Sequence, residues 1–301
     1  MEDRSFGPIR FLAGENRGRY PFCHSIYIEG AGVLIDPASS RERLLRLRAE
    51  EEVKMVWLSH WHEDHFMHLD LFDDLPLWIS LQDAPPLADL EVLMTWYGLD
   101  EEEKRVWRPL LLEQFHFRPR KPARYLVDGE IIRLGKLSVK VIATPGHTPG
   151  HLSFFFQEAS VLFVGDYDLT RFGPWYGDLF SDIDETRASI QRLQCVPAHV
   201  VLTGHETGVF HDPPLELWRQ YGSVIAEREE KLLTLLEKPR TLEEIVAACI
   251  IYGRPREPKA FFTFGERVHM TKHLEHLQKR GMVLLSNGLY HRQPTVSGAM
   301  A

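Results

Sequence analysis

Residues 60–65, HWHEDH, set three imidazoles and two carboxylates within six positions, directly behind the apolar run KMVWLS at 54–59. Imidazole nitrogen and carboxylate oxygen together suit divalent transition metals. A backbone that turns sharply after its strand brings His60, His62, Asp64 and His65 together. The plain alternative is a polar loop whose histidines merely cluster, a coincidence expected on the order of once in several hundred chains of this histidine content.

Three more signals sit at the ends of apolar runs. ATPGHTPGH at 143–151 follows the run KVIAT, and its Pro and Gly residues force a turn that exposes His147. VLFVGD at 161–166 ends on Asp166, and HVVLTGH at 199–205 ends on His205. Strand ends of a sheet sandwich are where loops gather into a rigid-backed site. One such hit is weak, and four in order are strong.

The elements that must position these residues are legible as short segments. SIYIEG and GVLID read as a hairpin around Gly30–Gly32. RERLLRLRAEE has helical spacing of Leu44, Leu45 and Leu47. KMVWLS, PLWIS, LSVKVIAT, LSFFFQ, VLFVG and HVVLTG are rich in β-branched and aromatic types and read as strands, several buried on both faces. DIDETRASIQRLQ supplies a helix with Ile183, Ile190 and Leu193 inward. The mixture predicts an α/β fold of two mixed sheets sandwiched between helical layers, spanning residues 1–213.

Residues 84–124 interrupt this rhythm with two helical stretches, one spaced by Leu87, Leu90, Met94 and Tyr97, the other from Glu101 to about Phe117 with Pro109 expected to end or kink it. Such an insertion either walls a pocket or covers a sheet edge. From Pro213 the composition changes. A long amphipathic helix, a second helix opened by a Thr241–Glu244 capping box, a third ending at Gly281 and a hairpin turning at Asn287–Gly288 give the order of a winged helix over 214–293. Residues 294–301, PTVSGAMA, read as a disordered tail.

Composition narrows the setting. No apolar run approaches the roughly 18–20 residues of a membrane helix, and the N-terminus lacks a basic stretch followed by an apolar core, so neither membrane insertion nor a secretory signal is expected. Cys23, Cys195 and Cys249 are odd in number and far apart, which argues for reduced thiols and a cytoplasmic protein. The formal net charge is −8. Residues 217–301 carry 13 basic against 9 acidic side chains, leaving the acid excess in the body, where it does not attract nucleic acid.

The H-x-H-x-D-H motif, the later His, the strand-end Asp and the final His together resemble the metallo-β-lactamase superfamily over roughly residues 20–212. The resemblance implies an αββα sandwich and two metal ions, zinc foremost with iron or manganese as alternatives. One ion would take His60, His62 and His147, the second Asp64, His65 and His205, and Asp166 would bridge them. Two metals lower the pKa of a shared water and polarise the substrate. Asp64 and Asp166 would partly neutralise their charge, and Asp64 could orient the nucleophile. The thiolate ligand of some antibiotic-degrading members is absent, which counts against lactam hydrolysis. The winged-helix order, carried by TLEEIVAACIIYG and HMTKHLEHLQKRGMV, further resembles the β-lactamase-like-protein-2 group; glyoxalase II is a more distant likeness.

Around this centre, His24 and the aromatic stretch DYDLTRFGPWYGD, with Arg171, Trp175 or Tyr176, are candidates for meeting substrate. His151 matches a position that in the family is usually structural. His68 and His211 read as peripheral, and His269, His273 and His276 as a solvated helical side. The expected reaction is hydrolysis of a small ester, thioester or related acyl compound. The alternatives are cleavage of single-stranded RNA guided by the basic tail, iron-based redox chemistry, and a binding module with a structural metal. The tail could equally serve as a homodimerisation element.

Overall fold

The computed structural model describes residues 2–294. The expected tail therefore lies, apart from Pro294, outside the described residues. No helix among them is long and apolar enough to cross a membrane.

Seven strands form the first sheet in chain order: β1 (Arg4–Phe6), β2 (Ile9–Leu12), β3 (Ser25–Ile28), β4 (Val33–Ile35), β5 (Met55–Trp57), β6 (Leu77–Ile79) and β7 (Arg124–Tyr125). Pairing is antiparallel up to β4 and parallel beyond it. The change of sense follows from the connections. A tight turn joins β3 to β4, whereas the parallel β4–β5 step needs a crossover, supplied by α1 (Arg41–Glu50). In α1, Leu44 and Leu47 are buried while Leu45 faces outward. The β1–β2 hairpin, joined through Gly7 and Pro8, is not among the elements expected from the sequence.

A single turn, α2 (Glu63–Phe66), follows β5, and α3 (Ala84–Ala88), α4 (Leu90–Trp96) and α5 (Glu101–Glu113) lie between β6 and β7. The Asp100–Glu103 capping box starts α5, and the helix runs through Pro109 rather than stopping there. Arg105, whose carbonyl loses its partner to that proline, is exposed, so water can satisfy it.

The second sheet comprises β8 (Ile131–Leu134), β9 (Leu137–Ala143), β10 (Leu152–Phe156), β11 (Val161–Phe163), β12 (Val200–Leu202) and β13 (Val209–His211), ordered β13-β12-β11-β10-β9-β8. Only β11 and β12 are parallel, and α6 (Ile183–Leu193) makes their crossover.

The layers follow from alternation along the strands. Ile26, Ile35 and Trp57 of the first sheet meet Val141, Phe154 and Phe163 of the second in an inter-sheet core. The outer face of the first sheet packs Leu34 and Val56 against Leu44, Phe72 and Met94, and that of the second packs Leu162 and Val201 against Ile190 and Leu193. The result is the αββα order expected.

After β13 come α7 (Leu215–Leu235), α8 (Leu242–Ala247), α9 (Lys259–Lys279) and the hairpin β14 (Val283–Ser286) with β15 (Leu289–Arg292), turning through Asn287 and Gly288 at φ of 51° and 75°. The start of α7 packs Trp218 and Tyr221 on the second sheet, while its end places Leu232 in a separate core with Met270, Leu274 and Val283. The expected boundary at 213–214 thus precedes a helix shared by two cores.

The reading of His269, His273 and His276 as a solvated side is corrected: all three are buried. Part of their polarity is met by partners that the helical period could not reveal, while His269 Nε2 and His273 Nδ1 are buried without a hydrogen bond. His273 Nε2 bonds the Tyr176 hydroxyl at 2.9 Å, and His276 bridges Glu229 at 2.6 Å and Asp184 at 3.1 Å. Burial opposes the Glu229 charge, but His273 and Arg187 hold its carboxyl at about 2. A depressed folded-state pKa means stability that is complete above the unfolded value of about 4.3 and is lost as pH falls toward 2. Urea denaturation of Glu229→Gln should accordingly lose less stability between pH 6 and pH 3 than the parent chain. In the inter-sheet core, Trp57 is fully buried and stacks on Trp78 at 5.6 Å; Trp57→Ala should cost about 3–5 kcal/mol in the same assay.

Candidate metal centre

Both sheets deliver their strand ends to one edge. His60, His62, Asp64 and His65 follow β5 on the turn into α2, His147 follows β9, Asp166 follows β11 and His205 follows β12. Gly146, at φ of 119°, lets the His147 turn dock on α6, since a Cβ there would collide with the Thr186 amide nitrogen. Gly204 leaves room for the centre itself, because a Cβ would fall 2.9 Å from Asp166 Oδ1.

Every candidate histidine is anchored through its outward ring nitrogen. His60 Nδ1 bonds Ser59 Oγ at 2.9 Å, and His62 Nε2 bonds the Asp178 carboxylate at 2.6 Å. His65 Nδ1 bonds Asp36 at 2.9 Å, and His147 Nδ1 donates to the Trp175 carbonyl at 3.1 Å. His205 Nδ1 faces the carbonyls of Gly18 and Phe22 at 2.5 and 3.0 Å. An imidazole that donates outward presents a lone pair inward.

Those inward nitrogens face one another. His60 Nε2, His62 Nδ1 and His147 Nε2 are mutually 3.0–3.1 Å apart. In their neutral form, three rings anchored in this way have no hydrogen to share between them. Tetrahedral coordination at about 2.0–2.1 Å would set ligand nitrogens about 3.3 Å apart, close to what is found. A second group brings His65 Nε2 within 3.3 Å of His205 Nε2, and Asp64 Oδ2 within 3.4 Å of the latter. Asp166 spans both: Oδ1 is 2.7 Å from His65 and 3.3 Å from His205, and Oδ2 is 3.4 Å from His147. Oδ1 is buried and makes no hydrogen bond. The residues present thus fit two cations, one in each group, with Asp166 facing both.

Electrostatics express the same crowding. Burial drives His60 well down and His147 to about 4, so both are neutral. Burial also opposes charge on His62, His65 and His205, yet nearby carboxylates prevail: Asp178 lifts His62 to about 9, and Asp166 raises the other two. Burial likewise opposes the Asp166 charge, and His65 and His205 overcome it.

Sequence reasoning missed the anchors. Asp36, in the left-handed region at φ of 51°, accepts from the Ser59 amide and hydroxyl at 2.8 and 2.6 Å as well as from His65. Asp83 receives Thr148 Oγ1 at 2.5 Å and the Gly150 amide at 2.6 Å, bracing the PGHTPGH turn; burial pushes its carboxyl up to about 7. The strand-end Asp of VLIDP and the final Asp of WYGD were the available signals.

The remaining candidates divide. Trp175 lines the cavity over the centre. Tyr176 does not meet it: fully buried, it bonds Arg228 Nη1 and His273. Arg228 also bonds the carbonyls of Phe172 and Pro174 at 2.6 and 3.2 Å, holding the loop that carries Trp175 and Asp178. Arg171 is exposed and outside the cavity wall. His24 is buried behind the wall, where its Nδ1 accepts from the Gly14 amide at 2.8 Å. His151 braces Thr144 at 2.8 Å and the Asp166 amide at 3.3 Å.

Asp178→Asn should keep the fold but weaken Zn2+ affinity about 10–100-fold in a competitive chelator titration, because the charged outward partner of His62 becomes a neutral amide. Unchanged affinity would show that the contact does not orient the ring.

A family model described as the metallo-beta-lactamase superfamily matches residues 18–205, which contain all seven clustered residues. A hydroxyacylglutathione hydrolase of Rhodospirillum rubrum is 39% identical over 137 residues, 45% of this chain and 47% of that protein. A beta-lactamase-like protein 2 homolog of Caenorhabditis elegans is 25% identical over 201 residues, 67% of this chain and 58% of that protein. The matches therefore span about half the length of these relatives. A crystal structure of a metallo-beta-lactamase family protein from Thermus thermophilus shares 25% identity and a TM-score of 0.72, covering 95% of this chain and 99% of that one. The motif, the four-layer order and the clustered donors agree with the family match: the chain belongs to the metallo-beta-lactamase superfamily.

Proposed function

We propose that the chain is a hydrolase of acyl substrates (an ester, thioester or related carbonyl compound) that works with two divalent metal ions, zinc being the best match to its nitrogen and oxygen donors. The observation that carries this is the set of inward imidazole lone pairs 3.0–3.1 Å apart, joined to a second group through Asp166. The relative named hydroxyacylglutathione hydrolase supports an acyl substrate.

His60, His62 and His147 would hold one ion, and Asp64, His65 and His205 the other, with the Asp166 carboxylate facing both. Such a pair supplies Lewis acidity toward a carbonyl oxygen and brings the pKa of a water near neutrality. The chain does the rest. Asp64 lies at the cavity floor, where its carboxylate accepts a hydrogen bond from the attacking water and aims it. The outward partners keep the rings from turning, so little reorganisation is needed when charge develops on the substrate. The cavity, about 440 Å³, admits a small substrate.

Metal analysis of the purified chain should find close to two ions per molecule. Asp64→Ala and His147→Ala should each abolish hydrolysis across a panel of esters, thioesters and lactones while leaving the circular dichroism spectrum unchanged. Full turnover in either variant would refute the assignment.

A further inference from the structure

We infer that the substrate carries a bulky apolar group, aromatic or medium-chain alkyl, and that residues 252–264 supply much of the wall that grips it; this rests on the hydrolase reading above. The metal-centre residues His62, Asp64, His147, Asp166 and His205 line the cavity together with nine aromatic residues, while Arg19, Glu63, Asp168, Thr170 and Glu206 add polar groups. On one side runs an arc of ring contacts: Tyr20 to Phe261 at 5.5 Å, Phe261 to Phe262 at 5.4 Å, Phe262 to Tyr252 at 5.0 Å and Tyr252 to Phe172 at 5.6 Å. A second arc joins Tyr97 to Trp107 at 5.5 Å and Trp107 to Phe264 at 5.8 Å.

The polar ends of these tyrosines are already engaged or packed. Tyr20 donates to Glu63 Oε1 at 2.8 Å and Tyr97 donates to Glu63 Oε2, so both present ring faces. The Tyr252 hydroxyl rests on Gly265, where a Cβ would collide with it. Among the described lining residues Arg19 is the one Lys or Arg, and it pairs with Glu206 at 3.0 Å. Beyond the metal centre, a ligand recognised through several anionic groups finds no unpaired Lys or Arg among the described lining residues. An apolar group finds rings on both sides, and each methylene buried there is worth roughly fourfold in affinity. Tyr252, Phe261, Phe262 and Phe264 lie beyond residues 18–205, so this part of the wall is supplied outside the segment matched to the family.

The test uses thioesters of N-acetylcysteamine from acetyl to octanoyl with the zinc-loaded enzyme, and binding of the unreactive S-ethyl and S-octyl thioethers to metal-free protein by quenching of Trp107 and Trp175 fluorescence. The octyl thioether should bind at least 100-fold tighter than the ethyl, and kcat/KM should climb roughly fourfold per methylene. Phe262→Ala and Trp107→Ala, on opposite arcs, should each cut the octanoyl-to-acetyl ratio at least tenfold with zinc content unchanged. Equal binding of the two thioethers, or equal kcat/KM for acetyl and octanoyl, overturns the inference. Tight octyl binding with no turnover of any thioester, or of any ester or lactone in the panel above, sustains the apolar site and overturns the hydrolase reading instead. Cleavage of single-stranded RNA with neither thioester turnover nor octyl binding overturns both.

Discussion

Five imidazoles held with their lone pairs converging on a buried carboxylate form an arrangement that only positive charge can stabilise. Each outward nitrogen is engaged by an oxygen of the chain: Ser59, Asp178, Asp36, Trp175, and Gly18 with Phe22. No ring can therefore turn to relieve its neighbour. In the metal-free state burial lowers His60 and His147, while Asp178 raises His62 and Asp166 raises His65 and His205, so that protons take part of that role. Metal binding and proton release at this centre are two faces of one requirement.

The sandwich serves that requirement because strand ends are the stiffest places from which to hang short loops. β5 brings four of the clustered residues from the first sheet, and β9, β11 and β12 bring three from the second. The inter-sheet core, close-packed around Trp57 and Phe154, fixes the distance between the two sets. Asp36 ties the ends together: it leaves β4, bonds the turn after β5 and holds His65.

The C-terminal elements are built into this arrangement rather than appended. α7 spans two cores, and Arg228 on it holds the carbonyls of the 172–178 loop. That loop in turn contacts two candidate ligands, His147 through the Trp175 carbonyl and His62 through Asp178. The same region sends Phe261, Phe262 and Phe264 over the cavity. The metal centre and its roof thus depend on chain segments more than 100 residues apart.

The cluster of donors was legible because each member follows an apolar run at once, so a local pattern marked its place: HWHEDH after MVW, His147 after VIAT, Asp166 after VLFVG, His205 after VVLTG. The layers were legible for the same reason, since alternation and helical spacing are local. The anchors were not. Asp36, Asp83 and Asp178 look like ordinary turn residues until folding sets them against His65, the PGHTPGH turn and His62. His273 and His276 misled because burial of a polar ring depends on a partner, and theirs lie on α7, α6 and the 172–178 loop. His24 and Tyr176 sit near the centre in sequence logic yet face away from it. Sequence alone determined which atoms could ligate, through residue type and adjacency to strands; tertiary structure alone decided which rings were locked, which were hidden and what walls the cavity. Hydrogen-bond geometry and burial are set between distant segments, and no local pattern encodes them.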